Sequence, residues 1–343
     1  MRNLLLILLL FFFVQCQFDK KDGTNVIGYE FEVEEQLNLQ KISYPELIGN
    51  PMQIFCKDSV LLINDFYGDS LVHVYNMKTN SVDRKLVRKG VGPNELLPPL
   101  ELQLIDEKLW VYSRPLHLLN HISLFDIHGG GTLIKDRTMD GKADCFIPIS
   151  DESFVFSGLW DKRYALIDIN NKDSMSEFGE YPNLWYKEKD FPSSVKAMFH
   201  QSRFAVNTQR NVFASCSYFV LEIYKYALDG FTVPELKLKK QLGLYEYDYI
   251  NEGFVKTKMR EGCGLAAVDV IAGEKYLYVL IQDSANRKNR NIMVLDWDGN
   301  PIKLLKSNKR IICFAIEEKH NMGYCIVEDP EYDLFSFELN NTK

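Results

Sequence analysis

Little in this chain marks a helical protein, a nucleic-acid binder or a metalloprotein. Apolar residues rarely recur with the 3.6-residue period of an amphipathic helix. The formal charge is -7, from 40 basic and 47 acidic residues, and no basic stripe interrupts it, so the electrostatic footprint of a nucleic-acid surface is absent. The one short basic run, Arg287-Lys288-Asn289-Arg290, reads as a solvated hairpin tip. Among the 6 histidines, His117 and His121 have the spacing of metal ligands on a helix. They straddle the entry to a strand instead, and no Glu completes a zincin motif, so neither a metal nor a cofactor is expected. The 7 cysteines lack metal-ligand spacing. Cys56, Cys145, Cys216 and Cys313 lie in apolar runs, as small buried hydrophobes do. Cys313 and Cys325, on successive strands expected to pair, form the one disulfide candidate if the chain is exported.

Catalytic signatures are equally scarce. No Gly-x-Ser-x-Gly presents a serine. Gly262-Cys263-Gly264 presents a thiol, but nothing near it in sequence lowers its pKa, so a close turn between blades is the expectation. Gly90-Val91-Gly92-Pro93-Asn94-Glu95 is not followed by Lys-Ser or by a helix, which excludes a phosphate loop. It reads as a turn, with Gly90 and Gly92 free to take positive φ and Pro93 fixing the exit. A carboxylate pair of the glycosidase kind needs no sequence proximity, so that possibility stays open.

One apolar run stands out, Leu4 to Val14, behind the positive start Met1-Arg2-Asn3. At about 1.5 Å rise per residue it covers only about half of a ~30 Å hydrocarbon core, so it is a secretory leader rather than a spanning helix. No small-x-small cleavage site follows. Phe13-Val14-Gln15-Cys16 resembles a bacterial lipoprotein signal, with Gln where a small residue is usual. Residues 1–15 are thus the expected leader, Cys16 the expected lipidation site, and residues 16–25 a polar tether.

The remainder, residues 26–343, carries a loose internal repeat. Short apolar runs follow turn-like groups at Val60–Ile63, Leu109–Tyr112, Phe154–Phe156, Val212–Ala214, Tyr276–Val279 and Gly323–Val327. Third strands follow at Leu71–Tyr75, Ile122–Phe125, Tyr164–Ile167, Leu221–Tyr224, Ile292–Leu295 and Leu334–Phe337. Six such units, each able to make about four strands, fit the blades of a propeller. The last unit runs out after its third strand. Tyr29-Glu30-Phe31-Glu32-Val33 alternates apolar and polar, and is expected to supply the missing strand and close the ring. A β-sandwich is the competing architecture. The irregular stretch from Ser174 to His200 is expected to be an insertion between the third and fourth blades, with a helical turn or two over Ser193 to His200.

The chain resembles the TolB-like six-bladed β-propeller lipoproteins of Gram-negative bacteria. The resemblance rests on the Gly90–Glu95 turn, on Asp296-Trp297-Asp298-Gly299-Asn300-Pro301, and on the spacing from Arg203-Phe204-Ala205-Val206 to Glu222-Ile223-Tyr224. It implies an all-β, six-bladed propeller and a bacterial envelope location, periplasmic or at the outer-membrane surface. It brings no catalytic residues.

In a propeller, the loops after the second strands share a face with the links between blades. That face is expected to hold Asn64, Asp65, Phe66, Tyr67, Arg88, Arg114, His117, Trp160, Asp161, Arg163, Tyr218 and Gln282. Aromatic, Arg and acidic side chains around a funnel suit recognition of a polar ligand or peptide. Alanine at Arg114 or Trp160 is expected to weaken a partner without lowering the melting temperature. The reading is a non-enzymatic, lipid-anchored protein that binds an envelope protein or glycan. The alternative is a carbohydrate- or lactone-directed hydrolase or lyase working in the funnel.

Overall fold

The computed structural model describes residues 29–171, 174–229, 231–243, 245–251, 255–259, 265–283 and 288–339. Cys16, the expected leader (residues 1–15), the expected tether (16–25) and Gly262-Cys263-Gly264 lie outside the described residues. Six antiparallel sheets make the blades. Blade one comprises Pro51–Lys57, Val60–Asp65, Ser70–Asn76 and Ser81–Lys89; blade two, Leu100–Ile105, Lys108–Ser113, Leu118–Ser123 and Ile134–Thr138. Blade three comprises Ala143–Pro148, Ser153–Gly158, Tyr164–Asp168 and Met175–Phe178; blade four, Arg203–Asn207, Val212–Ser217, Val220–Lys225 and Glu235–Gln241. Blade five runs from Leu265–Ala272 through Tyr276–Asp283 and Arg290–Asp296 to Pro301–Lys306, and blade six holds Ile311–Glu317, Met322–Glu328 and Tyr332–Glu338.

The second strands are apolar on both faces because each blade lies between two others. Val60–Asp65 is buried from Leu61 onward, and Phe154, Val155 and Phe156 are each 0% exposed. A separate apolar layer fills each of the six seams. Tyr112, Phe146 and Trp160 fill the seam of blades two and three, and Tyr164, Phe204 and Tyr224 that of three and four. Fourth strands face solvent and are charged, as in Glu235–Gln241. The turns before the second strands place Asp58, Asp106, Asn211 and Asn321 at φ between 51 and 54°, where Asp and Asn are the tolerated non-glycine residues.

The N-terminal segment does close blade six, but with different residues from those expected. Gln40–Lys41 pairs antiparallel with Tyr332–Glu338, Gln40 opposite Ser336 and Lys41 opposite Phe335. Glu34–Gln36 adds to blade five, parallel to Pro301–Lys306. Tyr29–Val33 lies upstream of both. Its alternation seats Tyr29 and Phe31 in the seam of blades four and five, where Lys240 Nζ stands 4.5 Å from the Tyr29 ring centroid.

Two other expectations change. Leu124–Gly129 is a short helix capped by Ser123, so the third strand of blade two ends before Leu124 and Phe125. Cys313 and Cys325 are free. Cys325 sits opposite Phe314 in the register and shares with it the layer toward blade five, whereas Cys313 faces blade one. The two thiols project to opposite sides of the sheet and cannot bridge without flipping a strand.

Candidate functional site

Because strands within a blade alternate in direction, the molecule has two ends. One carries the hairpins joining first and second strands. The other, the loop end, carries the turns after second strands and the links between blades.

The loop end carries a raised module that the sequence half disclosed. Ser193–Phe199 is helical as expected, but the insertion begins at Gly179, because Met175–Phe178 is the fourth strand of blade three. A second insertion, between blades four and five, was not anticipated; it forms the hairpin Tyr247–Asn251 with Val255–Met259. The two insertions pack together through Trp185, Val195, Phe199, Tyr245 and Tyr247, with the Phe199 and Tyr247 rings stacked at 3.6 Å.

Glu188, 0% exposed, ties the module together. It accepts hydrogen bonds from Tyr245 Oη at 2.6 Å, Tyr247 Oη at 2.9 Å and the Leu184 amide at 3.3 Å, and from His200 Nε2. Burial pushes the Glu188 carboxyl up, but the bonds from His200, Tyr245 and Tyr247 outweigh it, so the group is held below the usual carboxylate range. Burial lowers His200 to about 4, so its imidazole is neutral and donates from Nε2. The His200 carbonyl accepts from Arg163, whose Nη2 also donates to Ser202 Oγ at 3.0 Å. Arg163 in turn pairs with Glu222, at Nε to Oε2 3.3 Å.

This arrangement sorts the residues expected on the loop face. Arg163 is 2% and Trp160 1% exposed: both are interior, Trp160 as part of the seam of blades two and three. Alanine there would open a cavity rather than probe a surface, which corrects the expectation for Trp160. Asn64 is buried and donates to Gln53 Oε1 and the Leu100 carbonyl, each at 3.1 Å. Asp65 clips a turn by accepting from the Gly49, Asn50 and Tyr67 amides. Arg114 pairs with Asp144. His117 occupies a left-handed turn position, φ 54°, while His121 pairs with Asp136 at 2.8 Å. Gln282 accepts from Arg290 Nε at 2.9 Å, and Arg290 Nη1 donates to the Ile311 carbonyl at 2.8 Å. Arg290 therefore bridges blades five and six rather than being a solvated tip. Tyr67, Arg88, Asp161 and Tyr218 are exposed, and Phe66 is half-buried.

The Gly90–Glu95 turn works differently from the expectation. Neither Gly90 nor Gly92 takes positive φ; Asn94 does, at 61°. The glycines instead leave room for the Glu95 carboxylate, which accepts from the Gly92 amide at 2.9 Å. A Cβ on Gly90 would lie 2.0 Å from Glu95 Oε2.

Two openings lie on the axis. Midway along the channel, a cavity of about 20 Å³, room for a single water, is lined by Gln53, Glu101, Gln103, Cys145, Arg203 and Asp269. Arg203 pairs with Glu101, and Cys145 Sγ donates to Glu101 Oε1 at 3.0 Å. Burial, reinforced by Glu101, pushes the Cys145 thiol up to about 12, so it is not a nucleophile at neutral pH. Asp269 follows a bulge in the first strand of blade five. Burial raises its carboxyl to about 7, with Arg203 and the Val270 amide opposing. At the hairpin end the channel widens into a funnel of 430 Å³, lined by Lys57, Asp58, Asp106, Asn207, Glu274 and Glu317 among others. Sequence reasoning placed the opening at the loop end. The missed signal was a single charge between apolar neighbours in a first strand: Glu101 in Leu100-Glu101-Leu102, and Asp269 in Val268-Asp269-Val270. Among the described residues, no group of three or more His, Cys, Asp or Glu is placed to hold a metal ion.

Comparison with solved structures gives the same architecture at low identity. A member of the DUF4221 family from Bacteroides vulgatus superposes with a TM-score of 0.54 at 11% identity, covering 93% of this chain and 100% of that one. A Bacteroides fragilis protein described as exported gives 0.54 at 12%, covering 89% and 98%. Raptor from Chaetomium thermophilum gives 0.51 at 11%, covering 90% of this chain but 29% of its own. Likeness at this level establishes the shared fold alone. No curated protein matches in sequence. The model of the TolB-like 6-blade propeller-like family matches residues 29–319, and the chain, with its six blades in a closed ring, belongs to that family.

Proposed function

We propose that this chain is a lipid-anchored, non-enzymatic binding propeller of the bacterial envelope, holding a protein or glycan partner at its loop end. The observation that carries this reading is the raised module. Its interior is fixed by the four donors to Glu188, yet its surface exposes Leu184, Tyr186, Tyr249 and Ile250. Tyr67, Leu159 and Tyr218 are exposed on turns at the same end. Large apolar and aromatic side chains presented on a rigid base suit a partner surface. The envelope location is supported by the leader and Cys16, by the family, and by the exported description of the Bacteroides fragilis neighbour.

The test is affinity capture from detergent-solubilised envelopes with the parent chain and with Tyr186→Ala plus Tyr218→Ala. A defined partner recovered by the parent and lost by the variant, at unchanged melting temperature, supports the reading. Equal recovery by both removes the loop end from it. Intact mass of the mature N-terminus decides the anchor, since an unmodified peptide containing Cys16 ends it.

A second reading, a carbohydrate- or lactone-directed hydrolase or lyase, is favoured by Asp269. A carboxyl held near 7 beside Arg203 has the acid–base poise such chemistry uses. A substrate panel assayed with the parent and Asp269→Asn separates the two readings.

A further inference from the structure

The rim of blade four carries an apolar cluster that the described residues leave exposed. Four of the exposed large apolar side chains fall within nine residues: Leu228, Phe231, Val233 and Leu236 are 79, 53, 43 and 44% exposed. They occupy the link from Val220–Lys225 to Glu235–Gln241 and the start of that outer strand. The described residues of the link are held by local hydrogen bonds. Asp229 accepts from the Phe231 and Thr232 amides at 3.1 Å and from Thr232 Oγ1 at 2.8 Å, while Tyr226 beneath it is buried and its amide bonds to the Asn211 carbonyl at 3.0 Å. Exposed Lys225 and Lys237 flank the cluster, with the carboxylates Asp229 and Glu235 between them and Lys237 paired to Glu235 at 2.7 Å.

The chain leaves the fold along the same rim. Glu34–Gln36 runs parallel to Pro301–Lys306, so tracing back toward Tyr29 leads to the Asp296–Asn300 turn of blade five. There Lys240, from the outer strand of blade four, reaches both the Tyr29 ring and the Gly299 carbonyl, the latter at 3.4 Å. From Tyr29 back to Cys16, an extended chain spans at most about 45 Å. A lipid on Cys16 therefore places the bilayer within that reach of the edge of blades four and five.

We propose that this edge is a membrane-facing surface, with Leu228, Phe231 and Val233 seated among lipid headgroups. The proposal rests on the lipid anchor of the preceding subsection. It fits the interfacial pattern of apolar side chains set among lysines, whose stems lie along the surface while their charges meet phosphates. Because strands within a blade alternate in direction, this link lies at the hairpin end, so docking there leaves the loop end open to solvent.

The full mature chain, purified from membranes, is reconstituted on vesicles of phosphatidylethanolamine and phosphatidylglycerol. It carries an environment-sensitive fluorophore through Phe231→Cys or, as the opposite-end control, Tyr186→Cys, with the unsubstituted chain labelled in parallel as background. The expected result is a blue shift and loss of emission to nitroxide-labelled lipid for the probe at 231, and neither for the probe at 186. Co-flotation with an unquenched probe at 231, or equal quenching at both positions, overturns the proposal alone. Failure to float, with an unlipidated Cys16 by mass, overturns it together with the anchor. Leu228→Ser, which removes an exposed side chain and leaves folding intact, is expected to diminish the shift at 231.

Discussion

Arg163 Nε of blade three stands 3.3 Å from Glu222 Oε2 of blade four, and each side chain is 1% exposed. The pair crosses a seam and continues through the His200 carbonyl to the module, while Tyr164 Oη donates to the same carboxylate at 2.6 Å. Burial pushes Glu222 up, but Arg163, Lys239 and Tyr164 together bring it below its ordinary value. Removing Arg163 leaves the buried Glu222 carboxylate with Lys239 and Tyr164 alone, and breaking a buried pair in this way costs up to about 3–5 kcal/mol. Arg163→Met is therefore expected to lower the denaturant midpoint strongly. Arg163→Met with Glu222→Met is expected to recover part of that loss, and a double-mutant cycle measures the difference.

Asp269 sets one pH slope. Its carboxyl is raised to about 7 in the folded chain, against about 3.9 in an unfolded one. Between those values the folded state binds the extra proton, so stability declines as pH rises from about 4 through 7. Asp269→Asn is expected to remove that decline. Thermal melts of the two chains should be nearly equal at about pH 4, near the unfolded value, and should increasingly favour the variant up to about pH 8.

His200 sets the opposite slope. Burial depresses it to about 4 in the fold, against about 6.5 when unfolded. The unfolded chain then takes the extra proton in that window, and stability is lost as pH falls from about 6.5 toward 4. The Glu188 carboxylate, held low, adds a further loss as pH falls below the unfolded carboxylate value. His200→Gln is expected to flatten the first limb. Hydrogen exchange of the module, followed at pH 7 and pH 5, should show the Tyr245–Asn251 amides deprotecting in the parent alone.

Gly299 tests the resemblance motif as packing. Asp296 accepts from the Asp298 and Asn300 amides at 2.9 and 2.8 Å, which places Gly299 at φ 79°. A Cβ there would also meet Leu238 Cδ2 of blade four at 2.1 Å. Gly299→Ala is expected to cost about 1–3 kcal/mol from backbone strain and to displace the outer strand of blade four. Gly299→Ala with Leu238→Ala should relieve the clash but not the strain, which melting of the single and double variants resolves.

The blades were legible because each second and third strand is buried on both sides and must be a short apolar run bounded by turn residues. Asp58 and Asn321 marked hairpins through the left-handed conformation they tolerate. Closure was legible as a need, since the last unit lacked a strand, but not as an address. The alternation of Tyr29–Val33 satisfies a seam between blades as well as a sheet edge, whereas Gln40–Lys41 pairs through backbone and carries no apolar signature. The module was half visible. Pro182 and Pro192 broke the repeat before the helix, but the hairpin at Tyr247 looked like any other strand. Which residues meet around Glu188 is a matter of tertiary contact across two insertions, which spacing does not encode. Arg163 and Trp160 looked like surface residues because they follow a second strand; neighbouring blades bury them.

Completing the ring has a kinetic meaning. The Lys41–Asp333 bond joins residues 292 apart in sequence, so the edge it covers cannot be sealed until nearly all of the polypeptide has emerged. Forming so distant a pairing is entropically slow. Until then the newly made sixth sheet has an open flank, which a segment synthesised long before it must return to find.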